Sequence, residues 1–145
     1  MLPESLTLEV VTPERRVIRA SAVEVQLPGL DGYLGILPGH APLLATIGDG
    51  ELSYRAGSTT HYAVVLGGYT EVLAERVIVL AESAERAEEI NADSARAAKS
   101  AAEKILATPN TPEEQAGPAR LAVARAELRL KVAARGTAGG SQIAH

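Results

Sequence analysis

Val23-Glu24-Val25-Gln26-Leu27-Pro28-Gly29-Leu30-Asp31-Gly32-Tyr33-Leu34-Gly35-Ile36-Leu37-Pro38-Gly39-His40 is the stretch that decides how the first part of this chain folds. Val23, Val25 and Leu27 alternate with Glu24 and Gln26, which makes one face apolar and the other polar. That period of two marks a half-buried strand. Pro28-Gly29 then stops the run, because proline removes a ladder donor and glycine admits a sharp change of direction. Upstream, Leu6, Leu8 and Val10 alternate with Thr7 and Glu9 in the same way. Downstream, residues 63–66 and 77–80 are continuously apolar and rich in valine, which predicts strands buried on both faces.

Turn signals recur at Thr12-Pro13, Pro28-Gly29, Pro38-Gly39, Asp49-Gly50, Ala56-Gly57 and Gly67-Gly68. Asp49-Gly50, set between apolar runs at 45–47 and 52–54, predicts a tight hairpin joining those two runs. Many short strands with frequent turns predict an antiparallel β-sandwich over residues 1–86.

The composition then changes. Of the 59 residues from 87 to 145, 17 are alanine, and the strand pattern disappears. Ala95, Ala98, Ala102 and Ile105 recur at helical spacing, with Asn91 placed to cap the helix and Asp93 in its first turn. Thr108-Pro109-Asn110-Thr111-Pro112 breaks the helix, and Thr111-Pro112-Glu113-Glu114 reads as a second start with Thr111 as N-cap. Gly117-Pro118 either kinks this second helix or marks its proper beginning. Leu121, Ala124, Leu128 and Val132 give it an apolar face, and Arg135-Gly136 is the expected end. The fold class is therefore α+β: an N-terminal antiparallel β-sandwich, a two-helix hairpin over 87–136, and a flexible tail over 137–145.

Charge is distributed unevenly. Residues 1–86 carry 6 basic and 11 acidic side chains, residues 87–114 carry 3 and 6, and residues 115–145 carry 5 and 1. An acidic first helix facing a basic second helix suits a hairpin held weakly, since its alanine seam buries little area.

Several functions are excluded by what is present. A net charge of −4 argues against nucleic acid as the partner. With no cysteine, and with His40, His61 and His145 far apart in sequence, no metal site is expected. No run is long and apolar enough to insert in a bilayer, and the N-terminus has no signal-peptide pattern. There is no Walker motif and no nucleophile elbow, so neither a catalytic residue nor a cofactor is expected.

Gly32, Gly35, Pro38, Gly39, His40, Ala41, Pro42, Leu43 and Leu44 fit the pattern G-x-x-G-x-x-P-G-H-A-P-L-L. This resembles the signature of the epsilon subunit of bacterial F-type ATP synthases. The resemblance continues through Gly67-Gly68-Tyr69-Thr70-Glu71-Val72 and residues 77–82, then through the alanine-rich hairpin to about Arg135. It implies a non-catalytic subunit of the rotating central stalk, at the cytoplasmic face of the bacterial inner membrane, that couples ring rotation to ATP synthesis. The implied partners are the gamma subunit and the c-subunit ring, with the alpha and beta subunits of the catalytic head as conditional ones. Asp31, Gly32, Tyr33 and His40 fall where the family meets the ring and gamma. At the place of Tyr33 the family often has a carboxylate, which Asp31 stands near enough in sequence to replace. By itself, a glycine- and proline-rich loop is an exposed structural loop, here anchored by Leu34, Ile36 and Leu37, and His40 is a loop-packing residue.

Two further features follow from the resemblance. Some family members bind ATP through I/L-D-x-x-R-A, where this chain reads Ile90-Asn91-Ala92-Asp93-Ser94-Ala95. Asn91 and Ser94 replace the carboxylate and the cation, so the ATP site is expected to be lost. Arg120, Arg125, Arg129, Lys131 and Arg135 line the last helix. Their plain reading is a solvated basic face near a helix C-terminus. The family reading is an inhibitory helix that enters the catalytic head and stops hydrolysis. A free-standing interaction module and a small-molecule-binding sandwich are the rivals. An apolar flank left open for gamma, without a convergent polar pocket, separates the first reading from the last.

Overall fold

The computed structural model describes residues 2–143, with side chains described through residue 136. Eight strands precede two helices: β1 (Leu6–Val11), β2 (Arg16–Ala22), β3 (Glu24–Gly29), β4 (Gly32–Ile36), β5 (Leu43–Thr46), β6 (Gly50–Ala56), β7 (Thr59–Leu73) and β8 (Arg76–Arg86). A single 3-10 turn (Ala87–Glu89) leads to α1 (Ala92–Ala107) and α2 (Glu113–Ile143). The strands are hydrogen-bonded in the order β2-β1-β8-β7-β6-β3-β4, with β5 on the other part of β7. Every pairing is antiparallel except β1 with β8, which is parallel.

One continuous ladder folds over itself because β7 is long and bends. Its first part pairs with β6 and its last part with β5, while β8 follows it along nearly its whole length. The bend falls at Gly67-Gly68, which the sequence marks as a turn and the structure holds inside the strand. Both glycines have positive φ, 60° and 113°. The register against β8 is the same on both sides, Leu66 facing Ser83 and Gly68 facing Ala81. A Cβ on Gly68 would lie 1.9 Å from the Leu80 carbonyl oxygen, so only glycine fits there.

The core is aliphatic. Leu6, Leu8, Val10, Val25, Leu27, Ile36, Ile47, Leu52, Val65, Val72, Val77 and Val79 fill the space between the layers. The alternation expected at Leu6, Leu8 and Val10 is seen, with Thr7 and Glu9 less buried. Of residues 63–66, the first three are buried, Ala63 and Val65 facing the sandwich core and Val64 the helices, while Leu66 is partly buried. Residues 77–80 are not buried on both faces. Val77 and Val79 point inward, whereas Leu80 is 42% exposed on the outer face.

The Asp49-Gly50 hairpin does not form. β5 pairs with β7, and β6 pairs with β3 and β7, so the runs on either side of Asp49-Gly50 never meet. Ile47 instead bridges to Gly29, and the Gly48 N–H donates to the Pro28 carbonyl at 2.8 Å. Gly50 serves close packing rather than positive φ, since a Cβ there would lie 2.5 Å from Pro28 Cβ.

The hairpin of helices is docked on the sandwich through α2, with α1 stacked outside it. Asn91 caps α1 as expected, its Oδ1 accepting from the Ser94 N–H at 3.0 Å. Thr111 does not cap α2. Its hydroxyl shares its one hydrogen between the Ile105 and Thr108 carbonyls, at 3.0 and 2.7 Å, closing α1. Gly117 and Pro118 lie within α2, which is helical without interruption, and Gly136 is inside the helix rather than at its end. Where a flexible tail over 137–145 is expected, α2 continues to Ile143, and residues 144–145 lie outside the described residues. The seam is built from Ala95, Ala102, Ala116, Ala119 and Ala126. Of the residues expected on the apolar faces, Val132 is fully buried and Leu128 packs beside it, while Ala98, Ile105, Leu121 and Ala124 are exposed.

Candidate functional site

Asp31, Gly32 and Tyr33 lie at the tip of the β3–β4 hairpin, which replaces the loop expected there. Leu30 and Asp31 form its two-residue turn between the paired Gly29 and Gly32. Gly32 needs its freedom, with φ at 130°. The tip is presented outward: Leu30 is 68% and Tyr33 59% exposed. Ile36 anchors the hairpin in the core and Leu34 packs against it, but Leu37, the third expected anchor, is exposed. His40 lies on a separate turn, half-buried, with its Nδ1 2.6 Å from the Ala41 carbonyl. That short contact makes Nδ1 the donor. Gly39 holds this turn to the sandwich by donating to the Ala74 carbonyl at 2.7 Å.

A second feature is an exposed apolar flank, whose residues the sequence did not single out. Across the outer face of β5, β7 and β8, Leu44 stands beside Glu71 and Ile78, while Tyr69 stands opposite Leu80. Leu44, Tyr69, Leu73 and Leu80 are all at least 40% exposed. Beside them is an open depression of about 530 Å³, lined by Val11, Pro13, Tyr69, Leu80 and Ala81 among others. Leu80 could have signalled this strip, because an apolar run need not be buried when a partner covers one face.

Three of the five basic residues of α2 reach the sandwich rather than α1. Arg125 Nε donates to Asp49 Oδ2 at 2.8 Å. Arg129 grips Glu85 with two bonds of 2.7 and 3.1 Å. Arg135 reaches Glu51 at 3.2 and 3.4 Å, with its guanidinium 4.9 Å from the Tyr62 ring centre. Arg120 pairs with Glu113 of its own helix, and Lys131 is exposed. The ion pair between the helices runs opposite to expectation, from Lys99 of α1 to Glu127 of α2. Under α2, Val64, Ala87 and Val132 form a small separate core with Tyr62, Leu66, Ile90 and Leu128.

The joint between sandwich and helices is clasped by Glu89. Its carboxylate accepts from Arg15 at 3.0 and 2.7 Å and from Arg86 at 2.7 Å. The Arg15 hydrogen bonds above all, then those from Arg86, hold this carboxyl at about 2, well below the usual range, against the opposing effect of desolvation.

The polar depression of about 300 Å³ near Glu24, Glu51, Arg55 and Arg135 has its charges paired, Arg55 with Glu24 and Arg135 with Glu51. Among the described residues no three His, Asp or Glu side chains gather as a metal site, and no helix is long and apolar enough to cross a membrane.

Fold and site thus define a protein of two parts: a β-sandwich with an exposed apolar flank and a helical hairpin tethered to it by ion pairs. Residues 5–87 match the family described as ATP synthase, Delta/Epsilon chain, beta-sandwich domain. Over 132 residues the chain is 46% identical to the ATP synthase epsilon chain of Solibacter usitatus, covering 91% of this chain and 98% of the relative. It is 44% identical over 131 residues to that of Nitratidesulfovibrio vulgaris, covering 90% and 97%. The chain belongs to the ATP synthase epsilon family. Its fold is similar to a chain in the Euglena gracilis mitochondrial ATP synthase structure containing OSCP, F1 and c-ring, with a TM-score of 0.75 at 19% identity, over 88% of this chain and 80% of that one. A chain from the central stalk and c-ring of the Tetrahymena thermophila enzyme aligns with a TM-score of 0.57 at 14% identity, over 88% and 96%.

Proposed function

We propose that this protein is a rotor subunit of an F-type ATP synthase that binds the gamma subunit through its apolar flank and the c-ring through the β3–β4 tip. The observation that carries this reading is the exposed strip of Leu44, Tyr69, Leu73 and Leu80 on a sandwich whose core is otherwise complete. Apolar area of that kind on a soluble domain is stabilised by a partner. Asp31, Gly32 and Tyr33 lie on one protruding turn, suited to backbone and side-chain contact with ring loops, and His40 lies on a neighbouring loop as a second contact. These placements fit a peripheral position at the cytoplasmic face of the membrane. The polar depression near Glu24 and Glu51 also favours this reading over a small-molecule site there, because its charges are already paired.

The helical hairpin is a candidate brake on hydrolysis, held here in its disengaged position. Arg125, Arg129 and Arg135 are each occupied by a sandwich carboxylate, so they cannot serve an acidic segment of the alpha or beta subunits until α2 leaves. Release by ATP is not part of this device. The Ser94 N–H is used by the Asn91 cap, and neither side chain supplies a cation for a polyphosphate. Calorimetry with the isolated chain is expected to show no submillimolar ATP affinity.

The test is ATP hydrolysis by a reconstituted catalytic head with gamma, comparing the full chain with one ending at Ile90. That end point keeps the Glu89 clasp and the whole sandwich core. Binding retained with hydrolysis released supports both assignments. Unchanged hydrolysis removes the brake, and absence of binding removes the rotor reading.

A further inference from the structure

The two carboxylates that receive Arg125 and Arg135 do not stand on an independent loop. Asp49 and Glu51 belong to the segment 48–51, which is built against the turn end of the β3–β4 hairpin. The Gly48 N–H donates to the Pro28 carbonyl at 2.8 Å. Gly50 lies so close to Pro28 that a Cβ would approach it to 2.5 Å, and that same Cβ position is 3.4 Å from the Tyr33 hydroxyl. The Glu51 N–H donates to Tyr33 Oη at 3.2 Å. Tyr33 is thus exposed at the hairpin tip while its hydroxyl fixes the backbone of the residue that holds Arg135. The Glu51 side chain is only 12% exposed, so it has little freedom to follow Arg135 if its backbone shifts.

We propose that the β3–β4 hairpin and the arginine dock are one mechanical unit, in which Tyr33 is a positioning residue and contact at the tip sets how firmly α2 is held. A partner that draws the tyrosine away from Glu51 loosens two of the three sandwich tethers. Arg129 is unaffected because Glu85 lies on β8. The ring-contact reading enters this inference only in naming what touches the tip. The test uses the isolated full chain, so the coupling and the ring contact fail separately.

The chain contains no cysteine, so Ser58→Cys on the β6–β7 turn and Ser100→Cys on α1 accept a pair of spin labels. Their distance distribution reports docked and open hairpins along a salt titration that weakens ion pairs. Tyr33→Phe keeps the ring and removes one hydrogen bond. It is expected to shift the docked-to-open ratio roughly fivefold toward open at a given salt concentration, with thermal unfolding of the sandwich unchanged. Ser21→Ala, which removes an exposed hydroxyl on β2 away from these contacts, is the control and is expected to leave the ratio alone. A Tyr33→Phe chain that opens at the same salt concentration as the natural chain overturns the proposal. So does an equal shift from Ser21→Ala.

Discussion

Arg129 and Glu85 form a two-bond ion pair, Nε to Oε1 at 2.7 Å and Nη2 to Oε2 at 3.1 Å, that joins α2 to the last strand of the sandwich. Both side chains are less than a third exposed, 22% and 29%, so this pair is the least screened of the three tethers. The two partners make opposite predictions. Glu85→Gln frees the arginine while keeping its charge, and Arg129→Gln removes the charge altogether. If the docked and inhibitory states compete for α2, Glu85→Gln strengthens inhibition of the reconstituted head, by about fivefold for a tether of ~1 kcal/mol. Arg129→Gln is expected not to strengthen it. Equal effects of both variants on steady-state hydrolysis would show that the pair has no part in the competition.

The docked helix also needs a residue without a side chain. A Cβ on Gly136 would lie 2.9 Å from the Ala87 carbonyl carbon and 3.1 Å from its oxygen, both fixed backbone atoms. Gly136→Val is therefore expected to push α2 off the 3-10 turn and to cost the docked state about 1–3 kcal/mol. The core of the sandwich contains none of these atoms and should unfold as before. Amide exchange is the readout: protection at Val64 and Ala87 falls, and protection at Val77 and Val79 does not.

Strands and their inward faces were legible because their signal is local. Leu6, Leu8 and Val10, or Val25 and Leu27, carry the period of two in their own segment, and Asn91 caps the helix it immediately precedes. What depended on distant backbone was not legible. Asp49-Gly50 has the composition of a hairpin turn, yet its glycine is demanded by Pro28, more than twenty residues earlier. Gly67-Gly68 has the composition of a turn, yet the Leu80 carbonyl requires it to be a bend inside β7. The pairing of α2 arginines with Asp49, Glu51 and Glu85 was hidden for the same reason. Opposite charges on two adjacent helices suggested each other, while the real acceptors lay on the sandwich. The site residues themselves were legible only through the resemblance; the residues show why Asp31 to Tyr33 protrude, but only after Leu30 and Asp31 are seen to form a two-residue turn.

The Glu89 clasp gives a pH dependence whose sign is fixed. Its carboxyl is held at about 2 in the folded chain against an ordinary 4.5. A depressed folded value means the clasp contributes fully above about 4.5, and the contribution is lost as pH falls from there toward 2. Urea unfolding at pH 6 and at pH 3 measures it. The natural chain is expected to lose more stability over that interval than Glu89→Gln, whose side chain does not titrate. Equal losses would mean that Arg15 and Arg86 do not hold the carboxylate in solution.

The apolar flank makes the most direct demand on a partner. Leu44 is 72% and Leu80 42% exposed, so covering the remaining area would contribute roughly 1–2 kcal/mol at Leu44 and about 1 kcal/mol at Leu80. Leu44→Glu with Leu80→Glu should therefore weaken binding to a gamma-containing head by two orders of magnitude or more, without unfolding a sandwich to whose core neither side chain belongs. Leu106→Glu, 38% exposed on α1, places the same charge on the opposite part of the molecule and should leave binding intact. Calorimetric titration of the head with each variant separates the cases. A flank variant that binds like the natural chain would move the gamma contact elsewhere on the sandwich, and the exposed leucines would then need another partner.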